Sequence, residues 1–200
     1  APKGLDRVFF VNSGAEANEN ALRLALKTTG RNKIVAIEHS FHGRSAAAGA
    51  VTWGARERWY GFPNTPMDVT FVPRNDETAL AAAVDEETAG VIIEPVQGVA
   101  GAFDFSKAFL TAARAACDAR GALLILDEVQ TGVGRLGTPF GADYFDVTPD
   151  LMTTAKALGG GFPCGALLMR NDLAKDLGPG ALGTTFGGGP LACAVIIAVL

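Results

Sequence analysis

The sequence lacks the cysteine and histidine patterns of disulfide-rich and zinc proteins. Its three cysteines, Cys117, Cys164 and Cys193, are widely spaced, include no C-x-x-C pair and are odd in number, so neither a disulfide framework nor a zinc site is indicated. A reducing, cytoplasmic location fits this pattern best. His39 and His42 are the only histidines and share one short polar segment, which does not supply the three or four ligands of a typical metal site.

Long apolar runs and one-sided charge are also missing. Apolar stretches such as 122–126 and 91–93 have five residues or fewer, whereas a bilayer-spanning helix needs about 20. The formal net charge is −4, and Lys and Arg are scattered among the acids, so no basic face for nucleic acid or an anionic membrane is expected. No charged segment leads an apolar stretch as in a secretory signal. The expected partner is a small molecule.

The chain does contain enough apolar sequence for one well-buried domain. It has 200 residues, of which 48% are hydrophobic and 19% charged, which is typical of a folded domain and argues against disorder. From Pro190 to Leu200 the sequence starts as a helix and continues through Ala-Val-Ile-Ile-Ala-Val-Leu without a residue that would end it. We therefore expect this sequence to be a piece of a longer protein.

Short β-type runs alternate with helical patterns along the chain. Apolar strands separated by helices predict an α/β fold with a mostly parallel central sheet flanked by helices. Ligand sites in such sheets lie at the carboxyl ends of the strands, so the polar segments after the strands are the candidates for function. The predicted strands are 7–11, 33–37, 69–72, 89–93 and 122–126, and the predicted helices start at 15, 77 and 106.

Polar residues at these strand ends suit one particular ligand. Ser13, Gly14 and Ala15 lead from a strand into a helix, whose free N–H groups suit a phosphate; alternatively, Ser13 only caps the helix. Asp127 ends an apolar run and needs a partner to offset desolvation, which a protonated pyridine nitrogen, an Arg or a turn N–H would provide. Lys156 precedes Ala-Leu-Gly-Gly-Gly, where glycines let a ligand approach the backbone, although an isolated Lys is usually a solvated surface charge.

Together these groups match what pyridoxal 5′-phosphate (PLP) requires of a protein. A Lys forms a Schiff base, an acid pairs with the pyridine nitrogen, and a helix N-terminus holds the phosphate. A competing motif is G-x-G-x-x-G at 132–137, which is typical of nicotinamide-dependent oxidoreductases. We reject it because its first Gly lies five positions after Asp127 and Thr138-Pro139-Phe140-Gly141 follows where a helix should begin.

Six motifs, in order, resemble the class III (subgroup II) PLP-dependent aminotransferases, which include acetylornithine, ornithine and 4-aminobutyrate aminotransferases. The resemblance covers nearly the whole chain. The motifs are Asn12-Ser13-Gly14-Ala15-Glu16-Ala17-Asn18-Glu19, Ser40-Phe41-His42-Gly43-Arg44, Glu94-Pro95-Val96-Gln97-Gly98, the run 126–135, Ala155-Lys156-Ala157-Leu158-Gly159-Gly160-Gly161 and Thr185-Phe186-Gly187-Gly188.

This resemblance implies a fold-type I PLP transferase large domain over residues 1–200, with the N-terminal segment and the C-terminal small domain missing from the chain. It implies Lys156 as the Schiff-base lysine and proton carrier, and Asp127 as the partner of the pyridine nitrogen. For the cofactor, it implies that Ser13, Gly14 and Ala15 bind the phosphate, that Phe41 and Val129 contact the ring faces, that Gln130 approaches the ring hydroxyl and that His42 also contacts the cofactor. Thr185 is implied to reach the phosphate bound by a neighbouring subunit. For the substrate, the resemblance implies that Arg44 binds a carboxylate and that Glu94 pairs with an Arg of the C-terminal domain.

The implied activity is transfer of an amino group from a terminal amine, such as acetylornithine or a related ω-amino compound, to 2-oxoglutarate in a homodimer with a shared active site. Two departures from the family lie at Val99-Ala100, where many members have Glu-Gly, and at Gly189, where the family has Asn. The alternatives are a PLP-dependent aminomutase or decarboxylase, because the cofactor groups alone do not determine which bond breaks, and an inactive PLP-binding fragment.

Overall fold

The computed structural model describes residues 2–175 and 177–200 and contains nine strands and eight α-helices in these ranges. The strands are β1 (Arg7–Val11), β2 (Lys33–Ile37), β3 (Asp68–Val72), β4 (Thr88–Ile93), β5 (Val96–Gln97), β6 (Phe103–Asp104), β7 (Leu123–Asp127), β8 (Leu151–Thr154) and β9 (Gly165–Met169). The helices are α1 (Gly14–Thr29), α2 (Ala46–Ala50), α3 (Ala55–Arg58), α4 (Glu77–Ala83), α5 (Lys107–Arg120), α6 (Gly141–Phe145), α7 (Asn171–Lys175) and α8 (Pro190–Val199).

The central sheet has seven strands in the order β1-β9-β8-β7-β4-β2-β3. Every pair from β8 to β3 is parallel, and only β9 runs the other way, antiparallel to both β8 and β1. The predicted mostly parallel sheet is confirmed. Strand β9 is absent from the sequence prediction, because a five-residue apolar run after a glycine cluster is compatible with either a strand or a buried helix segment.

Helices cover both faces of the sheet. Successive residues of a strand point to opposite faces, so Ile34 of β2 joins one core with Leu22 of α1, and Val35 joins a second core with Leu110 of α5. All four side chains are fully buried. The result is a three-layer α/β/α arrangement, the architecture that continuous apolar strands predict.

Helix α1 begins and ends where its sequence signals place it. The hydroxyl of Ser13 accepts a hydrogen bond from the N–H of Glu16 at 3.2 Å, and Gly30 follows the last turn with a left-handed φ of 69°, a conformation that Gly adopts without strain. Helix α5 is bounded in the same way by Ser106 and Gly121. The serine caps explain why the predicted starts of these two helices agree with the structure to within a residue.

Strands β1, β2, β4, β7 and β8 run in the same direction, so their carboxyl ends meet at one edge of the sheet. At the opposite edge, the buried carboxylate of Asp150 pairs with Arg114 at 2.7 Å and with Arg170, and it accepts the N–H of Leu124 at 2.7 Å. Within 2–175 and 177–200, no helix combines the length and the apolar character needed to cross a membrane.

Candidate functional site

A cavity of about 490 Å³ opens at the carboxyl edge of the sheet. Its wall contains every residue predicted to act in catalysis or binding except Thr185. Thr185 is exposed in the segment before α8. The structure therefore brings together side chains from five strand ends that are far apart in the sequence, as the strand-end rule predicts.

Asp127, the last residue of β7, is 2% exposed and is held by donor groups. Its Oδ2 accepts a hydrogen bond from Nδ2 of Asn18 at 2.7 Å and lies 2.7 Å from Nδ1 of His42. Its Oδ1 accepts the N–H of Val129 at 3.1 Å. The turn-capping alternative is thus correct for Oδ1. The Arg-pairing alternative is wrong, because in the described part of the chain no Lys or Arg pairs with Asp127.

Lys156 is separated from the end of β8 by Ala155, and it starts a 3₁₀ turn, Lys156–Gly159. Its φ is 43°, a left-handed value that costs a non-glycine residue of order 1–3 kcal/mol and that is enriched at functional sites. The side chain is exposed, and it borders both the cavity and a smaller depression that contains Arg135. Lys156 is therefore open to a small molecule entering the cavity.

The start of α1 forms another part of the wall. Ser13 caps the helix through its side chain, while the N–H groups of Gly14 and Ala15 have no hydrogen-bond acceptor in the described residues. A Cβ added to Gly14 would lie 2.7 Å from Cγ2 of Val129. Glycine is needed here because the helix start packs directly on the turn after β7.

Glu94 is a buried acid in the same wall. It is 3% exposed, and its Oε1 accepts the N–H of Phe41 at 2.9 Å. Burial raises the pKa of Glu94 to about 7, with His42 opposing this shift and the negative charge of Asp127 adding to it. The carboxyl therefore holds its proton to a higher pH than an ordinary surface Glu does.

Arg44 is an exposed cationic side chain in the wall of the same cavity. Its guanidinium carbon lies 4.3 Å from the centre of the Trp59 ring, a cation–π distance. No carboxylate of the described residues pairs with it. The charge of Arg44 is thus positioned but not neutralised by any carboxylate of the described residues.

The structure supports neither competing site. Residues 132–137 lie in turns, and the next helix, α6, starts only at Gly141, so G-x-G-x-x-G does not open a helix. His39 packs near Trp53, with ring centres 5.8 Å apart, whereas His42 faces Asp127. Nowhere in the described ranges do three or more His, Cys, Asp or Glu side chains cluster as metal ligands would.

Comparison with known proteins agrees with this geometry. The family model for class-III aminotransferases matches residues 1–200. The chain belongs to the class-III aminotransferase family. Within it, the chain is 49% identical over 195 residues to acetylornithine aminotransferase of Methanosarcina acetivorans, covering 98% of this chain and 49% of that protein. It is also 49% identical over 205 residues to succinylornithine transaminase of Salmonella heidelberg, with the same coverage of each.

The solved structure of an aminotransferase matches the fold. Ornithine aminotransferase of Toxoplasma gondii superimposes with a TM-score of 0.89 at 33% identity, covering 97% of this chain and 48% of that one. The fold prediction is therefore confirmed. The chain spans about half the length of the curated relatives it matches.

Two buried residues at or next to the candidate site have roles that sequence reasoning missed. Asn18, on α1, lines the cavity and contacts Asp127, and the signal for it is an amide among the alanines and leucines of the helix. Glu128 is fully buried; it accepts the hydroxyl of Thr131 at 2.9 Å and the N–H of Ala142 at 2.7 Å. Glu128 thereby holds the start of α6 against the turn after β7. Val99 and Ala100, which depart from the family, lie in the turn between β5 and β6 and outside the cavity wall.

Proposed function

We propose that the protein containing this chain is a PLP-dependent aminotransferase. It moves an amino group from a terminal amine, such as acetylornithine or a related ω-amino compound, to 2-oxoglutarate. The observation that carries the proposal is that Lys156 and the buried carboxylate of Asp127 face one cavity whose wall also contains the start of α1. The names of the relatives, acetylornithine aminotransferase and succinylornithine transaminase, support an ornithine derivative as donor.

The residues present fit PLP. Asp127 is a buried carboxylate without a Lys or Arg partner among the described residues, so a protonated ring nitrogen supplies the charge that burial demands. The N–H groups of Gly14 and Ala15 have no acceptor in the described chain and suit a phosphate. The cavity volume of about 490 Å³ is in the usual range for a small-molecule site.

In this assignment Ser13, Gly14 and Ala15 bind the phosphate. Phe41 and Val129 contact the ring faces and Gln130 contacts the ring hydroxyl. His42, which lies 2.7 Å from Asp127, also contacts the cofactor. When bound, PLP supplies the carbonyl carbon that takes up the amino group and a ring that accepts electrons as the substrate C–H bond breaks. Asp127 holds the ring-nitrogen proton that makes this electron acceptance favourable.

Lys156 is the catalytic base in the proposed mechanism. Its amine would attach the cofactor and, once released, would carry the proton from the substrate carbon to the former carbonyl carbon of the cofactor. The exposed position of Lys156 at the cavity leaves its amine free for both tasks. The backbone of Lys156 is in a strained left-handed conformation. Strain of this kind is enriched at functional sites, which is consistent with a catalytic role.

We assign substrate recognition to Arg44 and Glu94, two ionisable side chains in the cavity wall. Arg44, unpaired by any described carboxylate, binds a substrate carboxylate, for which a planar guanidinium is well suited. Glu94, with a pKa of about 7, pairs with an Arg of the rest of the protein and releases it as the substrate changes. This pairing follows the family resemblance.

We also propose that residues 1–200 form the PLP-binding large domain of a homodimer with a shared active site. Thr185 is exposed and outside its own cavity wall, a position open to the phosphate of a neighbouring subunit's cofactor. The cytoplasmic location stays a prediction from the cysteine pattern.

Covalent attachment of the cofactor tests the proposed site. The full-length protein is loaded with PLP, reduced with borohydride and digested, and we expect mass spectrometry to find the pyridoxyl group on Lys156. The Lys156→Ala variant should carry none, whereas Lys27→Ala, at an exposed lysine of α1, should be labelled as in the wild type. Label elsewhere, or none, would overturn the assignment.

Product analysis separates transamination from the other PLP reactions. With acetylornithine and 2-oxoglutarate we expect glutamate in proportion to donor consumed. Without the oxo acid, an aminotransferase stops after one equivalent per site, while an aminomutase or decarboxylase continues. Continued turnover without an acceptor would favour those alternatives.

A further inference from the structure

Asn18 occupies a place where an amide is normally unfavourable. It lies within α1 and is 1% exposed, beside the fully buried Ala17, Ala21 and Leu22. Asn is a weaker helix former than Ala or Leu, and a buried amide is costly unless its hydrogen bonds are made. Its presence on this face therefore requires specific partners.

The partners of Asn18 define how its amide is oriented. Its Nδ2 donates to the carbonyl oxygen of His42 at 2.8 Å and to Oδ2 of Asp127 at 2.7 Å. The hydroxyl of Thr153 donates to Oδ1 of Asn18 at 2.7 Å. Because a backbone carbonyl can only accept, the amide atom that faces His42 must be the nitrogen. The second N–H is then directed at Asp127.

We propose that Asn18 is a positioning residue that fixes the Asp127 carboxylate in the cavity wall, through a hydrogen bond whose direction His42 and Thr153 set. The inference rests on the proposed function, in which Asp127 holds the proton of the cofactor ring nitrogen. A hydrogen bond to a buried carboxylate is charge-assisted and stronger than a neutral one.

An aliphatic side chain at position 18 removes this donor. The Asp127 carboxylate is then free to turn away from the ring nitrogen, which leaves the ring nitrogen less protonated. A purely structural role for Asn18 would change stability and leave the ring nitrogen as it is.

The test uses the full-length protein and the substitution Asn18→Leu. The matched control is Asn20→Leu: Asn20 is on the same helix, is 7% exposed and donates to the carbonyl of Glu16 at 2.8 Å, away from the cavity. The dissociation constant for PLP is measured by titration, and the protonation of the ring nitrogen by NMR of bound ¹⁵N-labelled PLP across pH. For Asn18→Leu we expect a dissociation constant about tenfold higher and a ¹⁵N shift moved toward that of unprotonated pyridine. Asn20→Leu should change neither.

Thr153→Val provides a second route if Asn18→Leu does not fold. This near-isosteric change removes the hydroxyl that donates to Oδ1 of Asn18 at 2.7 Å and that also lies 3.5 Å from Oδ1 of Asp127. A smaller change of the ¹⁵N chemical shift in the same direction is expected from the loss of these contacts. Unchanged ¹⁵N shifts in the folded Asn18→Leu protein, or in Thr153→Val if Asn18→Leu is unfolded, would overturn the proposal. Equal shifts in Asn18→Leu and Asn20→Leu would also overturn it. Failure of the wild-type protein to bind PLP would overturn the proposed function itself, so the two failures are distinguishable.

Discussion

Nδ1 of His42 lies 2.7 Å from Oδ2 of Asp127, and both side chains are buried. Nε2 of His42 has no hydrogen-bond partner in the described ranges. The carboxylate is thus surrounded by groups that orient it, while no Lys or Arg there neutralises it. It remains available for a cationic group of a ligand, which is the role we assign to it.

Removing the charge of Asp127 tests its proposed role as the partner of the ring nitrogen. Asp127→Asn keeps the shape and takes away the negative charge that holds the ring-nitrogen proton, so we expect kcat to fall about 100- to 1000-fold with the fold retained. Steady-state kinetics and circular dichroism of the full-length protein check this. Asp118→Asn is the control, because Asp118 is exposed and its carboxylate pairs, among the described residues, only with Arg114 on the same helix. A loss of kcat below about tenfold would contradict the assigned role.

The contact between Gly14 and Val129 predicts a steric effect that a second substitution relieves. A Cβ at position 14 would lie 2.7 Å from the short, stiff side chain of Val129, so Gly14→Ala should destabilise the protein by about 1–3 kcal/mol. Gly14→Ala combined with Val129→Ala should recover most of that loss. Urea unfolding of the four proteins gives the coupling energy, and strictly additive effects would rule out the contact.

Much of this fold could be predicted because local signals agree with it. Helix α1 has a Ser cap and a Gly end, and strands β2 and β7 are apolar runs that stop at polar residues. Strand β9 could not be assigned, because its apolar sequence carries no period. The side chains at the strand ends could be found from the strand-end rule, which is why Asp127 and Lys156 were predicted. Asn18 belongs to the middle of a helix, and only tertiary packing brings it to Asp127.

The raised pKa of Glu94 predicts how stability depends on pH. Because the folded-state pKa is about 7 and the ordinary value is 4.5, the folded protein binds the extra proton. This contribution to stability is full below about pH 4.5 and is lost as pH rises through 7. Glu94→Gln keeps an acceptor for the N–H of Phe41 and removes the titration, so its stability relative to wild type should rise by up to about 3 kcal/mol between pH 4.5 and 8. Urea unfolding of the cofactor-free full-length protein across this range is the measurement. A constant difference would contradict the prediction.

Asp150 offers a stability effect at the edge of the sheet opposite the cavity. Asp150 is buried and pairs with the partly exposed Arg114 and Arg170. Its removal takes the shared partner from both arginines and the acceptor from the N–H of Leu124, so Asp150→Ala should cost about 3 kcal/mol. Asp172→Ala, which removes an exposed partner of Arg170, should cost less than about 1 kcal/mol. Both variants should bind PLP as the wild type does at low temperature. Weaker binding by folded Asp150→Ala would show that the two edges are coupled.

Mixing variants at Thr185 and Lys156 tests whether the active site is shared between subunits. It is exposed and does not line its own cavity, so a carboxylate there should repel the phosphate bound by the other subunit, and Thr185→Glu alone should be inactive, as should Lys156→Ala alone. In a mixed dimer, the subunit that keeps Lys156 receives an intact Thr185 from the Lys156→Ala subunit, so one of its two sites is complete. Equal mixing then restores about a quarter of the wild-type activity in a twofold-symmetric dimer. If Thr185 served its own subunit instead, every site of the mixed dimer would carry one lesion. Mixing the two inactive proteins would then restore no activity, and that result would contradict the shared site.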